Sequence, residues 1–206
     1  MQKKKGAFKI DIEKYYFTEL KTTKPTFRQK RTVWSNEFGL HCIAVFRLGQ
    51  FSMRLWKRNK LIGLPFRVLY IILNYIIKIF YHVDIKVDAT IGPGFLIHHV
   101  GTIYIRATIG ENCSIAHNTT IGRGFTEGRE GYPTIGKNVW IGTGATIVGT
   151  IEIGDGATIS AGCVIFKDIP SNCLAAGNPG RVLLKDYDNR KMLPYRINNS
   201  NISIEE

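Results

Sequence analysis

The 206-residue chain is poor in cysteine, poor in acidic residues over its first 83 positions, and without a long unbroken apolar run. Its four cysteines, at 42, 113, 163 and 173, form neither a dense framework nor a metal-binding pair. That argues against a disulfide-stapled scaffold and for a reducing, cytoplasmic compartment. The first 35 residues carry charges throughout and lack an apolar central stretch, so no secretory signal peptide is expected. The segment Phe66–Val83 is apolar, but Arg67, Asn74, Lys78 and His82 interrupt it. Its longest unbroken run is the six residues Val68–Leu73. A membrane span needs about 20 predominantly apolar residues, and a Lys near its centre is costly, so a transmembrane helix is not expected. Two readings remain for this segment. One is a buried helix packed on the base of the domain that follows. The other is an in-plane interfacial helix with Arg/Lys and aromatic anchors.

The shortage of acids makes the charge lopsided. Residues 1–83 hold 17 Lys/Arg against 4 Asp/Glu, and residues 84–206 hold 11 against 12. The whole excess of +12 therefore lies in front. Such asymmetry suits an anionic partner surface, namely membrane phospholipid or nucleic acid, or serves solubility alone. The basic part contains no nucleic-acid-reading motif, so no nucleic acid is expected and peripheral membrane association through residues 1–83 is the better reading. Residues 1–35, broken by Pro25, read as a basic arm draped on the surface or partly disordered, with room for a short helix over Phe8–Leu20. Residues 36–60 read as a helix. Phe38, Cys42, Val45, Phe46, Gly49, Met53 and Trp56 recur at three- and four-residue steps, with Asn36 as N-cap. Gly63 and Pro65 punctuate the chain after it.

What the chain does have is a six-residue rhythm. Isoleucine stands at 85, 91, 97, 103, 109, 115 and 121, and again at 135, 141, 147, 153, 159 and 165. Two residues earlier stands a small or apolar residue such as Ala89, Ala107, Cys113, Ala145 or Cys163, and Gly often follows directly. Period six matches neither an amphipathic helix nor a hairpin sheet. It is the mark of a hexapeptide solenoid, in which Ile fills the interior and Gly permits the turns. A mainly β fold follows: a solenoid over 84–185, a small helical region in front, and a polar tail over 186–206. Thirteen hexads at three per coil give a little over four coils. The tail reads as a short helix followed by disorder. The one interruption, RGFTEGREGYP at 123–133, must leave the coil as a loop, on what is often the binding face.

The candidate chemistry sits on the same count. His99 and His117 are 18 residues apart, one coil, and stack on one face. Asp84, 15 residues before His99, falls beneath position 102 and close to that imidazole. A histidine held in one tautomer by a carboxylate is the usual general base for a hydroxyl or amine proton. The alternative is a satisfied structural histidine. No H-x4-H occurs, because position 122 is Gly, so no metal is expected.

The segment 83–105, VDIKVDATIGPGFLIHHVGTIYI, resembles the start of the serine acetyltransferase β-helix, D-I-x-x-x-A-x-I-G-x-G-x-x-x-x-H-x-x-G. The continuation NVWIGTGATIVGTIEIGDGATISAGCVIFKDIP…AAGNPGRV fits the same family, so the match covers about 100 residues. The resemblance implies a left-handed parallel β-helix, a homotrimer, and acetyl-CoA as co-substrate. It also implies His99 as general base, oriented by Asp84. Backbone around Gly142, Thr143 and Ala161 would position the pantetheine, with Lys167 and Arg181 near the CoA phosphates, unless those two are plain surface charges. A backbone N–H near Arg123 or Gly124 is the oxyanion candidate. His98, His117, Arg129, Glu130 and Tyr132 are acceptor-side candidates, and Tyr132 alternatively closes the loop.

The departures concern the acceptor. The family carries an acidic residue before the catalytic histidine, where this chain has His98. It carries Arg-His before the Pro after the loop, where this chain has Gly131 and Tyr132. A carboxylate acceptor wants a bidentate Arg. The His98-His99 pair, the Arg47-Leu48-Gly49 helix and the apolar helix resemble the acetyltransferases of capsule and colanic acid polysaccharide synthesis. That resemblance implies a saccharide hydroxyl as acceptor. Serine acetylation in cysteine synthesis is the alternative, and a non-enzymatic membrane-surface scaffold is the third reading.

Overall fold

The structure, a computed structural model, describes residues 5–22, 24–126, 128–193, 195–198 and 201–204. Four helices precede a solenoid of parallel strands: α1 Ala7–Leu20, α2 Phe27–Asn36, α3 Phe38–Arg58 and α4 Lys60–Tyr81. The solenoid has three sides. One sheet carries Val83–Ile85, Ile103–Ile105, Thr120–Gly122, Thr146–Val148 and Val164–Ile165. A second carries Thr90–Ile91, Thr108–Ile109, Thr134–Ile135 and Glu152–Ile153. A third begins Leu96–Ile97, Ser114–Ile115, Trp140–Ile141, Thr158–Ile159, and closes with Leu174–Gly177 and the antiparallel Gly180–Leu184.

The period-six isoleucines form the core because each pairs with its equivalent one coil on, as in Ile91↔Ile109, Ile97↔Ile115 and Ile141↔Ile159. They and the small residues between them are buried. Corners turn on Asn112, Asn138 and Asn172, all in the left-handed region with φ of 59, 55 and 52°, where Asn is better tolerated than most side chains. The hexad count slips once. Ile85 pairs with Ile105 rather than Ile103, and Ile103 pairs with Val83. The corner before Ile105 is thus longer, and the next step shorter, since Ile105 pairs with Ile121. The five strands of the first sheet mark five turns, where counting hexads gives a little over four.

The front of the chain departs from the sequence reading. The short helix expected over Phe8–Leu20 forms as α1, but it is docked rather than draped on the surface, because it sends Asp11, Lys14 and Tyr15 into the first coils, where all three are buried. Asn36 ends α2, and Glu37 occupies the N-cap of α3. In the tail Tyr195–Asn198 pairs antiparallel with Asn201–Ile204, and no helix forms among its described residues. Of the tail, positions 194, 199, 200, 205 and 206 lie outside the described residues.

The buried-helix reading of the apolar segment is also corrected. Helix α4 runs through Pro65 and buries only Gly63, Tyr70 and Ile77, at seven-residue steps. That seam faces α3 at close range. A Cβ on Gly63 would lie 2.6 Å from the Trp56 backbone, and one on Gly49 2.5 Å from the Tyr70 ring. Most other α4 side chains are exposed. By length and composition α4 is also long and apolar enough to cross a membrane.

Candidate active site

Three corners join the three sheets, and one of them gathers the histidines. Two residues beyond Ile97, Ile115, Ile141 and Ile159 stand His99, His117, Thr143 and Ala161, stacked coil upon coil. Backbone bonds tie the column together. The N–H of Gly144 donates to the His117 carbonyl at 3.1 Å, and that of Gly162 to Thr143 at 2.7 Å. The His99 and His117 rings lie 6.1 Å apart, edge to face. His99 is exposed, whereas His117 is half-buried with an Nδ1 that has no protein partner. Gly142 serves this corner by close approach, since a Cβ there would lie 2.6 Å from the Ala161 nitrogen. The structure thus brings together His99, His117, Gly142, Thr143 and Ala161. It presents two imidazoles at one end and a small-residue ladder at the other.

The helices hold the base of this column. The Tyr15 hydroxyl donates to the Ile97 carbonyl at 3.0 Å and accepts from the Ile97 N–H at 2.9 Å. Lys14 donates to the carbonyls of Gly94, Asn112 and Cys113. Asp11 accepts from Arg47 at 2.8 Å and from the Phe95 N–H at 3.0 Å. Arg47 also donates to the Ile91 and Gly92 carbonyls at 2.7 and 2.6 Å. Burial pushes the Asp11 carboxyl up, and Arg47 works against that shift. Charges buried this deeply need such partners. Sequence reading missed this clamp entirely, because nothing in a lone Lys14 or Tyr15 on a short helix signals burial. Arg47 entered that reading only as part of a family resemblance.

Asp84 is not where the 18-residue count put it. The long first corner makes it pair with Tyr104 rather than sit under position 102. Its carboxylate contacts Lys86 at 2.8 Å and Lys78 at 3.1 Å and makes no hydrogen bond to His99. Partial burial works to raise its pKa, but these two lysines prevail and hold it below the usual carboxylate range. Glu37, at the start of α3, is an acid on which the charge of His99 acts, without a hydrogen bond between them. Desolvation raises its pKa and Glu19 adds to the rise, while His99 opposes it. Sequence reading did not single out Glu37.

His98 turns away onto Trp140, with ring centroids 4.7 Å apart. Burial, with the nearby charges of Lys14 and His99, lowers its pKa to about 4. It is therefore neutral near pH 7. The remaining candidates occupy another corner. The loop at 123–133 is a hairpin of Gly124–Thr126 and Arg129–Gly131, leaving the corner between the first and second sheets. Glu130 is ion-paired to Arg123. The Tyr132 ring lies under Arg106, 4.7 Å from its guanidinium carbon, which packs the loop base onto the coil. The Arg129 side chain lies outside the described residues. Lys167 stands two residues beyond Ile165 on this same corner, not on the Thr143–Ala161 column, and is exposed. Arg181 is exposed on the closing strand opposite Ala176. In one chain, then, the hairpin, its Arg123 and Gly124 amides, and Lys167 are separated from His99 by a side of the solenoid. Among the described residues no three His, Cys, Asp or Glu cluster as a metal site.

Residues 132–167 match the bacterial transferase hexapeptide (six repeats) family. The serine acetyltransferase of Escherichia coli K12 is 34% identical over 157 residues, covering 75% of this chain and 54% of that protein. A soybean serine acetyltransferase structure superposes with a TM-score of 0.64 at 31% identity, covering 86% of this chain and 67% of that one. A Brucella abortus serine acetyltransferase solved with coenzyme A superposes with a TM-score of 0.67 at 27% identity, covering 87% and 67%. The chain spans between half and three fifths of the length of the first curated relatives it matches. The repeat, the stacked corner and these similarities agree: the chain belongs to the serine acetyltransferase-like hexapeptide-repeat transferases.

Proposed function

We propose that the protein is an O-acetyltransferase that moves acetyl from acetyl-CoA to a hydroxyl group. The observation that carries this is the stacked corner, where exposed His99 stands beside His117 and the column continues into Thr143 and Ala161. His99 takes the acceptor hydroxyl proton as that oxygen attacks the thioester carbonyl. The tetrahedral intermediate then expels the CoA thiolate, to which His99 returns the proton. A backbone N–H near the developing oxyanion lowers the barrier. Coenzyme A bound in a related structure supports acetyl-CoA as donor. Gly142, Thr143 and Ala161 offer the thioester arm a path of small residues along the corner, and exposed Arg181 offers charge to its phosphates, whereas Lys167 would reach them only from a neighbouring copy.

The hairpin corner and the histidine corner are different edges of one chain. We infer a homotrimer in which a neighbouring copy brings its hairpin to His99, giving three equivalent sites. Four free, buried cysteines suit a reducing cytoplasm.

L-Serine is the acceptor the comparisons support, since the matched relatives are named serine acetyltransferases. A saccharide hydroxyl of a polysaccharide precursor is a second reading, favoured by one observation. The loop offers Gly131 and Tyr132, with Tyr132 packed on Arg106, and no Arg at those two positions to grip a carboxylate. Thiol release from acetyl-CoA, measured with L-serine and with nucleotide sugars, separates them. Turnover with serine at ordinary millimolar levels establishes the first reading, turnover with sugar alone establishes the second, and release with neither overturns the proposal.

A further inference from the structure

Helices α3 and α4 leave a face that the solenoid does not cover. The half-buried residues of α4 that carry charge or an amide, Arg67, Asn74 and Lys78, lie on the side of the helix that faces the protein or its edge. Arg67 meets Met53 and the Tyr70 ring, and Lys78 pairs with Asp84. The opposite side, by helical spacing, is Leu61, Val68, Ile72, Tyr75 and Ile79. These are 85, 47, 53, 66 and 47% exposed, with no charged residue among them. A contiguous apolar face of this length on a 22-residue helix is uncommon for a surface left to water.

The charge around that face decides what covers it. Residues 38–81, the whole of α3 and α4, contain no Asp or Glu. Arg54, Lys57, Arg58 and Lys60 are all exposed and gather at the turn between the two helices. Bringing two copies together through this face would set like charges against each other. An anionic bilayer surface complements both features at once, taking the apolar side into its headgroup and acyl boundary and the cations onto its phosphates. Crossing the bilayer is disfavoured, because the Gly63–Tyr70–Ile77 seam is packed on α3 and Lys78 is paired at the solenoid.

We propose that α4 lies in the plane of an anionic phospholipid surface, docking the enzyme through Leu61, Val68, Ile72 and Ile79, with Arg54, Lys57 and Arg58 on the headgroups. This is independent of which hydroxyl is acetylated. The test is sedimentation of the full chain with vesicles of phosphatidylcholine alone and of phosphatidylcholine with phosphatidylglycerol. The expected result is binding only to the anionic vesicles. Ile72→Glu with Ile79→Glu, or Lys57→Gln with Arg58→Gln, each weakens binding at least tenfold while thermal melting and native mass stay unchanged. Absence of binding to anionic vesicles, or equal binding to neutral ones, overturns it. So does a loss of native mass in the Ile72/Ile79 variant without lipid, which would show that a second copy covers the face. Should that variant fail to fold, the Lys57/Arg58 variant decides, since those side chains are exposed: undiminished binding overturns the proposal.

Discussion

The Tyr15 hydroxyl satisfies both backbone groups of Ile97, accepting from its N–H and donating to its carbonyl. Ile97 stands two residues before His99, so a helix distant in sequence fixes the strand from which the proposed base projects. Tyr15→Phe leaves both groups buried and unpaired. The expected loss is about 2–4 kcal/mol of unfolding free energy, read from denaturant midpoints, with a fall in turnover beyond what the remaining folded fraction explains.

His99→Ala is expected to abolish acetyl transfer, a fall of at least about a thousandfold. Because His99 is exposed, melting temperature and native mass should be unchanged. Thiol-release kinetics beside size-exclusion chromatography check both. Residual activity near wild type would remove His99 from the mechanism.

Asp84 and Glu37 are the two candidates for a carboxylate that would serve the proposed base His99. The structure gives Asp84 to Lys78 and Lys86, and His99 acts electrostatically on Glu37 without a hydrogen bond between them. Glu37→Gln should lower kcat/KM by roughly tenfold, about 1.4 kcal/mol. Asp84→Asn should lower it less than about fivefold, a partly exposed pair being worth about 1 kcal/mol or less. The opposite ranking would restore Asp84 as the orienting group.

His98 makes stability depend on pH. Its folded pKa is lowered from 6.5 to about 4 by burial and by Lys14 and His99. Between those values the unfolded chain binds a proton that the folded chain does not, so stability falls as pH drops from 6.5 towards 4. The loss approaches about 2–3 kcal/mol near pH 4.5. His98→Gln should flatten that part of the profile, measured by urea unfolding at pH 7 and pH 4.5 against wild type.

Gly142 is held to glycine by the neighbouring coil rather than by conformation. Gly142→Val would drive a side chain into the Ala161 backbone, and is expected to cost about 1–3 kcal/mol by overpacking. Thermal unfolding checks this. Ala161→Gly, at an exposed position, should change stability by less than about 1 kcal/mol.

The isoleucine period determined the solenoid by itself, because one buried position per hexad is a local requirement repeated thirteen times. It also placed His99 over His117 and marked 123–133 as the segment that leaves the coil. The same count misplaced Asp84. A corner two residues longer leaves nearly the same isoleucine spacing, since Ile103 and Ile105 are both buried, so only pairing shows which one starts the coil.

What the tertiary structure alone decided is where distant pieces meet. Asp11, Lys14, Tyr15 and Arg47 look like ordinary polar residues on two helices, and only docking turns them into a clamp on the first coil. For α4 the sequence leaves a buried and an interfacial helix both open; the first coils are already covered by α1 and α3, and its apolar side is left outward. Local periodicity dictates which residues are buried within a repeat. It says nothing about partners 80 residues away, whose meeting depends on which surfaces remain to be covered once the repeat has folded.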